Sequence, residues 1–176
     1  MRGNCRRFCA AVLLLLLIGI GPVLAAAPAG LRNKTIHVSY VPTTPAIRDG
    51  KQVAASRAIS RTIYVSSVGR AFVQRSDRAA KLNKVGEGGP EATSRAYRFE
   101  GSRLFITVRA GGNAARQIVV NFDSNFQSCT VDVKTGVAGG SARTWIGLNG
   151  HRYTATGPTS ISNPTCSISN GNAFAR

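Results

Sequence analysis

The chain has 176 residues, with 23 Lys and Arg against 7 Asp and Glu, two His and four Cys, giving a formal charge of +16. So few carboxylates and imidazoles leave little material for acid–base chemistry, and the length suits one core rather than several domains. The cationic excess bears on partners, which should be anionic, and not on the fold.

The first segment divides into the three parts of an export signal. Arg2, Arg6 and Arg7 form a positive start, residues 10–20 an uncharged apolar run, and small residues 23–27 follow Gly21-Pro22, as a signal peptidase requires. Cleavage after Ala25 or Ala26 is expected, because Pro28 disfavours a cut after Ala27. A membrane anchor needs about 20 apolar residues, and Gly19, Gly21 and Pro22 interrupt this run earlier. Residues 1–26 are therefore read as a signal peptide with a helical apolar part, and residues 27–176 as a single basic β-domain. Cleavage removes three arginines and no acid, leaving 20 basic against 7 acidic residues, or +13. The reading places the mature protein in the periplasm or secreted, without a transmembrane span.

Cys5 and Cys9 leave with the signal, so Cys129 and Cys166 remain. In an oxidising compartment such a pair is expected to form a structural disulfide. It lacks the neighbouring ligands of a metal site and the C-x-x-C spacing of a redox pair.

Along the mature chain the recurrent pattern is alternation, the period of half-buried strands. Ile36, Val38 and Tyr40 alternate with His37 and Ser39. Ile63 and Val65 bracket Tyr64, and Gly69 allows a turn into Phe72-Val73. Tyr97 and Phe99 alternate with Arg98 and Glu100, and Leu104, Ile106 and Val108 share one face, although Phe105 makes the other face partly apolar. Ile118, Val120 and Phe122 share a face, as do Cys129, Val131 and Val133, and a turn begins at Asp123-Ser124-Asn125 between them. Residues 145–148 and 151–156 flank Asn149-Gly150, a strong hairpin signal. A terminal strand carries Cys166 and Ile168 on one face, so both cysteines fall on inner faces. About eight short strands at this spacing predict an all-β fold, an antiparallel β-sandwich or small β-barrel. Residues 42–60, 76–94 and 136–143 read as loops, with a helical turn expected within residues 53–59.

No catalytic, cofactor or metal motif emerges. His37 and His151 read as surface histidines without a triad partner, and Asp123 and Asp132 as a turn residue and a solvent-facing strand residue rather than a catalytic pair. Gly86-Glu87-Gly88-Gly89 lacks the Lys-Ser/Thr of a phosphate loop. The functional lead is the basic surplus. Fifteen of the twenty mature basic residues are arginines, whose planar forks suit phosphate, sulfate and carboxylate. Arg98, Arg103, Arg109, Arg116, Lys134 and Arg152 fall at or beside polar strand positions and are the candidate anion-binding residues. A composition rich in Arg, Ala and Gly together offers a bland explanation of the same surplus.

Three stretches carry a resemblance. Residues 31–39 (LRNKTIHVS), 122–129 (FDSNFQSC) and 166–172 (CSISNGN) resemble parts of small exported alphaproteobacterial proteins of unassigned function. The resemblance implies a bacterial envelope location and supplies no site residues. The expected function is therefore a non-enzymatic exported β-domain that binds an anionic envelope component, lipid or polysaccharide, or an acidic protein. Nucleic acid fits less well, since exposed aromatic partners are few among the basic residues. The alternatives are a β-barrel carrying a small apolar ligand and, more weakly, a hydrolase. If the export reading is right, N-terminal sequencing of the exported protein gives Ala26 or Ala27 as first residue; an intact Met1 on exported protein contradicts it.

Overall fold

A computed structural model describes residues 26–75, 96–109, 115–136, 144–147 and 149–175. Among them are a single 3-10 turn, Ala29–Leu31, and eleven strands. These are β1 (Lys34–Arg48), β2 (Lys51–Ser56), β3 (Ile59–Val65), β4 (Ala71–Arg75), β5 (Tyr97–Glu100), β6 (Arg103–Arg109), β7 (Ala115–Phe122), β8 (Cys129–Thr135), β9 (Thr144–Ile146), β10 (Arg152–Ala155) and β11 (Ser160–Asn170). The all-β antiparallel expectation holds, as curled sheets that form a half-barrel. No helix among the described residues is long and apolar enough to cross a membrane. The signal segment through residue 25, residues 76–95 and residues 137–143 lie outside the described residues, and with them two of the expected loops.

The 15-residue strand β1 organises one sheet. Its first half, Lys34–Tyr40, pairs with β3 on one edge and with β11 on the other. Its second half, Thr43–Arg48, pairs with β2, and Ala46–Arg48 pairs with β10, which carries β9. The change coincides with a register shift against β11 between Ser39 and Val41. The second sheet runs β5-β6-β7-β8 in sequence order, all antiparallel.

Residues 42–60 are thus not a loop, and residues 53–59 hold no helical turn. Pro42 and Pro45 suggested a break, since proline cannot donate to a ladder. Pro42 instead falls between the end of the β3 pairing at Tyr40 and the start of the β2 pairing at Thr43, where that edge has no partner. Asp49 and Gly50, at φ 51° and 77°, close a two-residue hairpin between Arg48 and Lys51. That turn requires positive φ at both positions, which Asp-Gly supplies. The Asn149-Gly150 hairpin is present with a longer loop than expected. Gly147 and His151 pair through Gly147 N–H to His151 O at 2.8 Å, and β9 ends at Ile146.

The two sheets enclose one core. Ile36, Val38, Ile63, Val65, Leu104, Ile106, Ile118 and Val120 have no exposed surface. Each contributes about 1.5–3 kcal/mol by burial. One end is closed by the 3-10 turn. Leu31 is fully buried, Gly30 lies against the Phe126 ring, and Lys34 Nζ donates to Phe126 O at 2.8 Å. Ala27 is also buried, and its N–H donates to Gly69 O at 3.2 Å.

A seam joins the sheets where β8 runs beside β11. The Cys129–Cys166 disulfide fastens one end, with 5.6 Å between Cα atoms, and Thr135 Oγ1 donates to Thr159 O at 2.9 Å at the other. The disulfide closes a loop of 37 residues, for which chain entropy gives about 3–4 kcal/mol. Cys129→Ala with Cys166→Ala is expected to lose a stability of that order in urea denaturation, and reductant is expected to act on wild type alone.

Candidate anion-binding surface

The six basic candidates do not share one sheet face. Arg98, Arg103 and Lys134 lie on the outer face of the β5–β8 sheet, and the backbone of Arg109 shares their parity opposite Ala115. Arg98 is engaged there, with Nε 2.9 Å from Glu100 Oε1 and its guanidinium 5.2 Å from the centre of the Phe105 ring. Glu100 also stands directly opposite Arg103, and Asp132 lies on the same outer face. This face therefore carries mixed charge.

Arg116 belongs to the inner face. It shares the parity of Ile118 and Val120 and stands opposite Val108 and Thr135. It is half-buried, and its Nε is buried without a hydrogen-bond partner.

Arg152 lies on the outlying strands β2, β10 and β9 with the second half of β1. One face there carries Ile146 opposite Arg152, and Ile47 opposite Thr154. Both isoleucines are exposed, at 63% and 39%, and they are two of the three exposed large hydrophobics among the described residues. The other face carries a cross-strand row of Trp145, Tyr153, Arg48 and Lys51. Trp145 stacks on Tyr153 with ring centres 5.3 Å apart and planes 12° from parallel. Asn149 Nδ2 donates to the Tyr153 hydroxyl at 2.8 Å, and this bond, with a second from Arg48, holds the phenol below its usual range.

The histidines and acids are placed by local chemistry. His37 Nδ1 lies 3.1 Å from Thr62 Oγ1, and His151 Nδ1 lies 3.1 Å from Asp49 Oδ2 on exposed surface. Sequence spacing did not anticipate the second pair, which the two hairpin turns bring together. Asp123 Oδ1 accepts the N–H groups of Gln127 at 2.7 Å and Ser128 at 3.2 Å, closing the β7–β8 turn. Asp132 lies three register positions further along β8 than Cys129, facing solvent opposite Val119.

Sequence reasoning missed Arg61. It is 1% exposed on the inner face of β3, in the series Ile59, Arg61, Ile63, Val65. One terminal nitrogen donates to the Tyr97 hydroxyl at 3.1 Å, while Nε and the other terminal nitrogen are buried without partners. The signal was available, since period 2 extended back from Ile63 places Arg61 inside.

Comparison with known protein families, with curated proteins and with solved structures finds no match for this chain.

The backbone N–H bond from Ser128, the largest cause, holds the Asp123 carboxyl below its ordinary value of 3.8. A lowered folded value means stability that is present above the unfolded value and lost as pH falls through the folded one. Asp123→Ala is expected to be less stable than wild type at neutral pH, with the gap narrowing below pH 3.8. Urea midpoints across that range check this.

Proposed function

We propose that the mature chain is an exported, non-enzymatic β-domain that docks on an anionic envelope surface through its outlying strands. The observation that carries this reading is the face on which Arg152 stands opposite the exposed Ile146, with Ile47 nearby. An arginine flanked by exposed apolar side chains suits a lipid interface, where the apolar groups enter the acyl boundary and the guanidinium meets headgroup phosphate. A formal charge of +13 after signal removal adds long-range attraction to an anionic surface, worth about 1 kcal/mol for each basic residue held close to it. The outer face of β5–β8 supports the reading less, because Glu100 and Asp132 offset its cations.

The alternative of a cup for an apolar ligand draws less support, since Leu31, Ile36, Ile63, Leu104 and Ile106 fill the space between the sheets. Among the described residues, the hydrolase alternative gains only the exposed Asp49–His151 pair.

Sedimentation with vesicles tests the proposal. Mature protein is expected to bind vesicles containing phosphatidylglycerol and not purely zwitterionic ones, with binding falling as salt rises. Arg152→Glu and Ile146→Asp are each expected to weaken binding at least tenfold, while Arg103→Glu changes it less. Equal binding to both vesicle types, or no binding at physiological salt, overturns the reading. Retention on a heparin resin with no vesicle binding also overturns it, in favour of polysaccharide.

A further inference from the structure

We infer that the end of the half-barrel opposite Leu31 holds a binding site for a small oxyanion, with Arg61 as its receptor. The inference shares with the proposed function only the negative charge of the ligand, and rests on that reading to that extent. Among the described residues, the buried side-chain nitrogens and oxygens without hydrogen-bond partners are the Tyr40 hydroxyl, two nitrogens of Arg61 and Nε of Arg116. All three residues point inward, and the register puts them at one end. Tyr40 stands opposite Ile59, which makes it the diagonal neighbour of Arg61 in the β1–β3 ladder. The bond from Arg61 to Tyr97 crosses from one sheet to the other. Tyr97 belongs to the inner row of Ile106 and Ile118, and Arg116 lies in the next row outward.

The charge at this place demands an anion. A guanidinium stays protonated in proteins, and a buried charge is costly unless it is paired. The carboxylates of the described residues are committed or remote. Asp49 meets His151 and Arg48, Glu100 meets Arg98, Asp123 closes its turn, and Asp132 faces solvent. The donors without partners at the site are the Arg61 guanidinium edge and the Tyr40 hydroxyl, the complement of a carboxylate or phosphate group. The ligand is a small oxyanion or the anionic head of a larger molecule. The core beneath is occupied by Ile63, Ile106 and Ile118, so no long apolar tail fits below it.

Thermal unfolding of the mature protein tests this, with inorganic phosphate, sulfate or acetate added at ionic strength matched by sodium chloride. A ligand bound only by the folded state raises Tm in a saturable way. At least one of the three anions is expected to raise Tm by several degrees over matched chloride, and the best of the three identifies the headgroup chemistry. Arg61→Met keeps much of the side-chain volume and removes the buried charge. It is expected to fold, to be at least as stable as wild type in chloride, and to lose the response to the added anion. Tyr97→Phe is expected to weaken the response by several-fold while retaining the fold. No saturable rise with any anion, or an equal rise in Arg61→Met, overturns the site. So does a loss of stability in Asp77→Asn, Glu87→Gln, Glu91→Gln combined that disappears on an Arg61→Met background, because the counter-ion is then internal. Arg152→Glu is expected to keep the anion response and Arg61→Met to keep vesicle binding, so either reading can fail alone.

Discussion

Between Tyr40 and Thr43 the strand β1 loses β3 from one edge and gains β2, and over the same few residues its pairing with β11 shifts register. A register shift of this kind bends a strand and increases its local twist. Before the bend, Ile36, Val38 and Tyr40 face the second sheet and are almost wholly buried. Beyond it, the strand continues with β2, β10 and β9, and the exposed Ile47 lies in this part. One strand therefore supplies both a wall of the core and the root of the outlying strands. Pro42 is tolerated because it falls where one edge has no partner to receive an N–H, and Thr156 N–H still reaches Pro45 O at 2.9 Å beyond it.

The two ends of the enclosed core differ in chemistry. At the Leu31 end, ring and aliphatic groups close the interior, with Phe122 and Phe126 centred 5.8 Å apart and Lys34 turned to cap a carbonyl. At the other end stand Tyr40, Arg61, Tyr97 and Arg116. Burying a guanidinium costs several kcal/mol before any pairing, comparable with what two well-buried aliphatic side chains contribute. The β8–β11 seam helps the fold carry that cost. Its disulfide restricts the unfolded chain without demanding more buried area, at the place where the two sheets meet.

The strands whose pattern is a clean alternation were legible in the sequence. Ile118, Val120 and Phe122 with Cys129, Val131 and Val133 specify the β7–β8 hairpin, because a slip of one residue would expose the whole apolar set. The disulfide followed from the two cysteines left in a chain read as exported, both on inner faces by parity, and the structure joins them. The second half of β1 was not legible. Its prolines and the scattered charges of residues 48–51 carry loop chemistry, and only the partner switch makes Pro42 compatible with a strand. Asp49-Gly50 was a hairpin signal as good as Asn149-Gly150, but lay between segments without strong alternation. Among the candidate cations, sequence placed Arg98, Arg103 and Lys134 on a polar face correctly. Arg116 follows Ile118 inward by the same period, and Arg61 follows Ile63, so both were readable had parity been weighed above side-chain polarity. The pairing of His151 with Asp49 was beyond reach, because it depends on two turns brought together by the β1–β10 ladder.

Arg61 also bears on the origin of the basic charge. A compositional drift toward arginine accumulates at exposed positions, where a substitution costs within about 0.5 kcal/mol. Arg103, Lys134 and Arg152 are exposed and fit such a drift as well as a function. Arg61 does not, since at 1% exposure a methionine or leucine at that place would spare the desolvation cost of the charge. A neutral drift is removed where it destabilises the fold by several kcal/mol, because natural stabilities are only about 5–15 kcal/mol in total. The same holds in lesser degree for Arg116, with its buried Nε. The surplus on the surface and the charge inside therefore require separate explanations, and the interior arginine is the one that composition does not supply. An oxyanion held there turns the buried charge from a liability into a stabilising pair, which makes ligand binding and fold stability a single linked property of that end of the barrel.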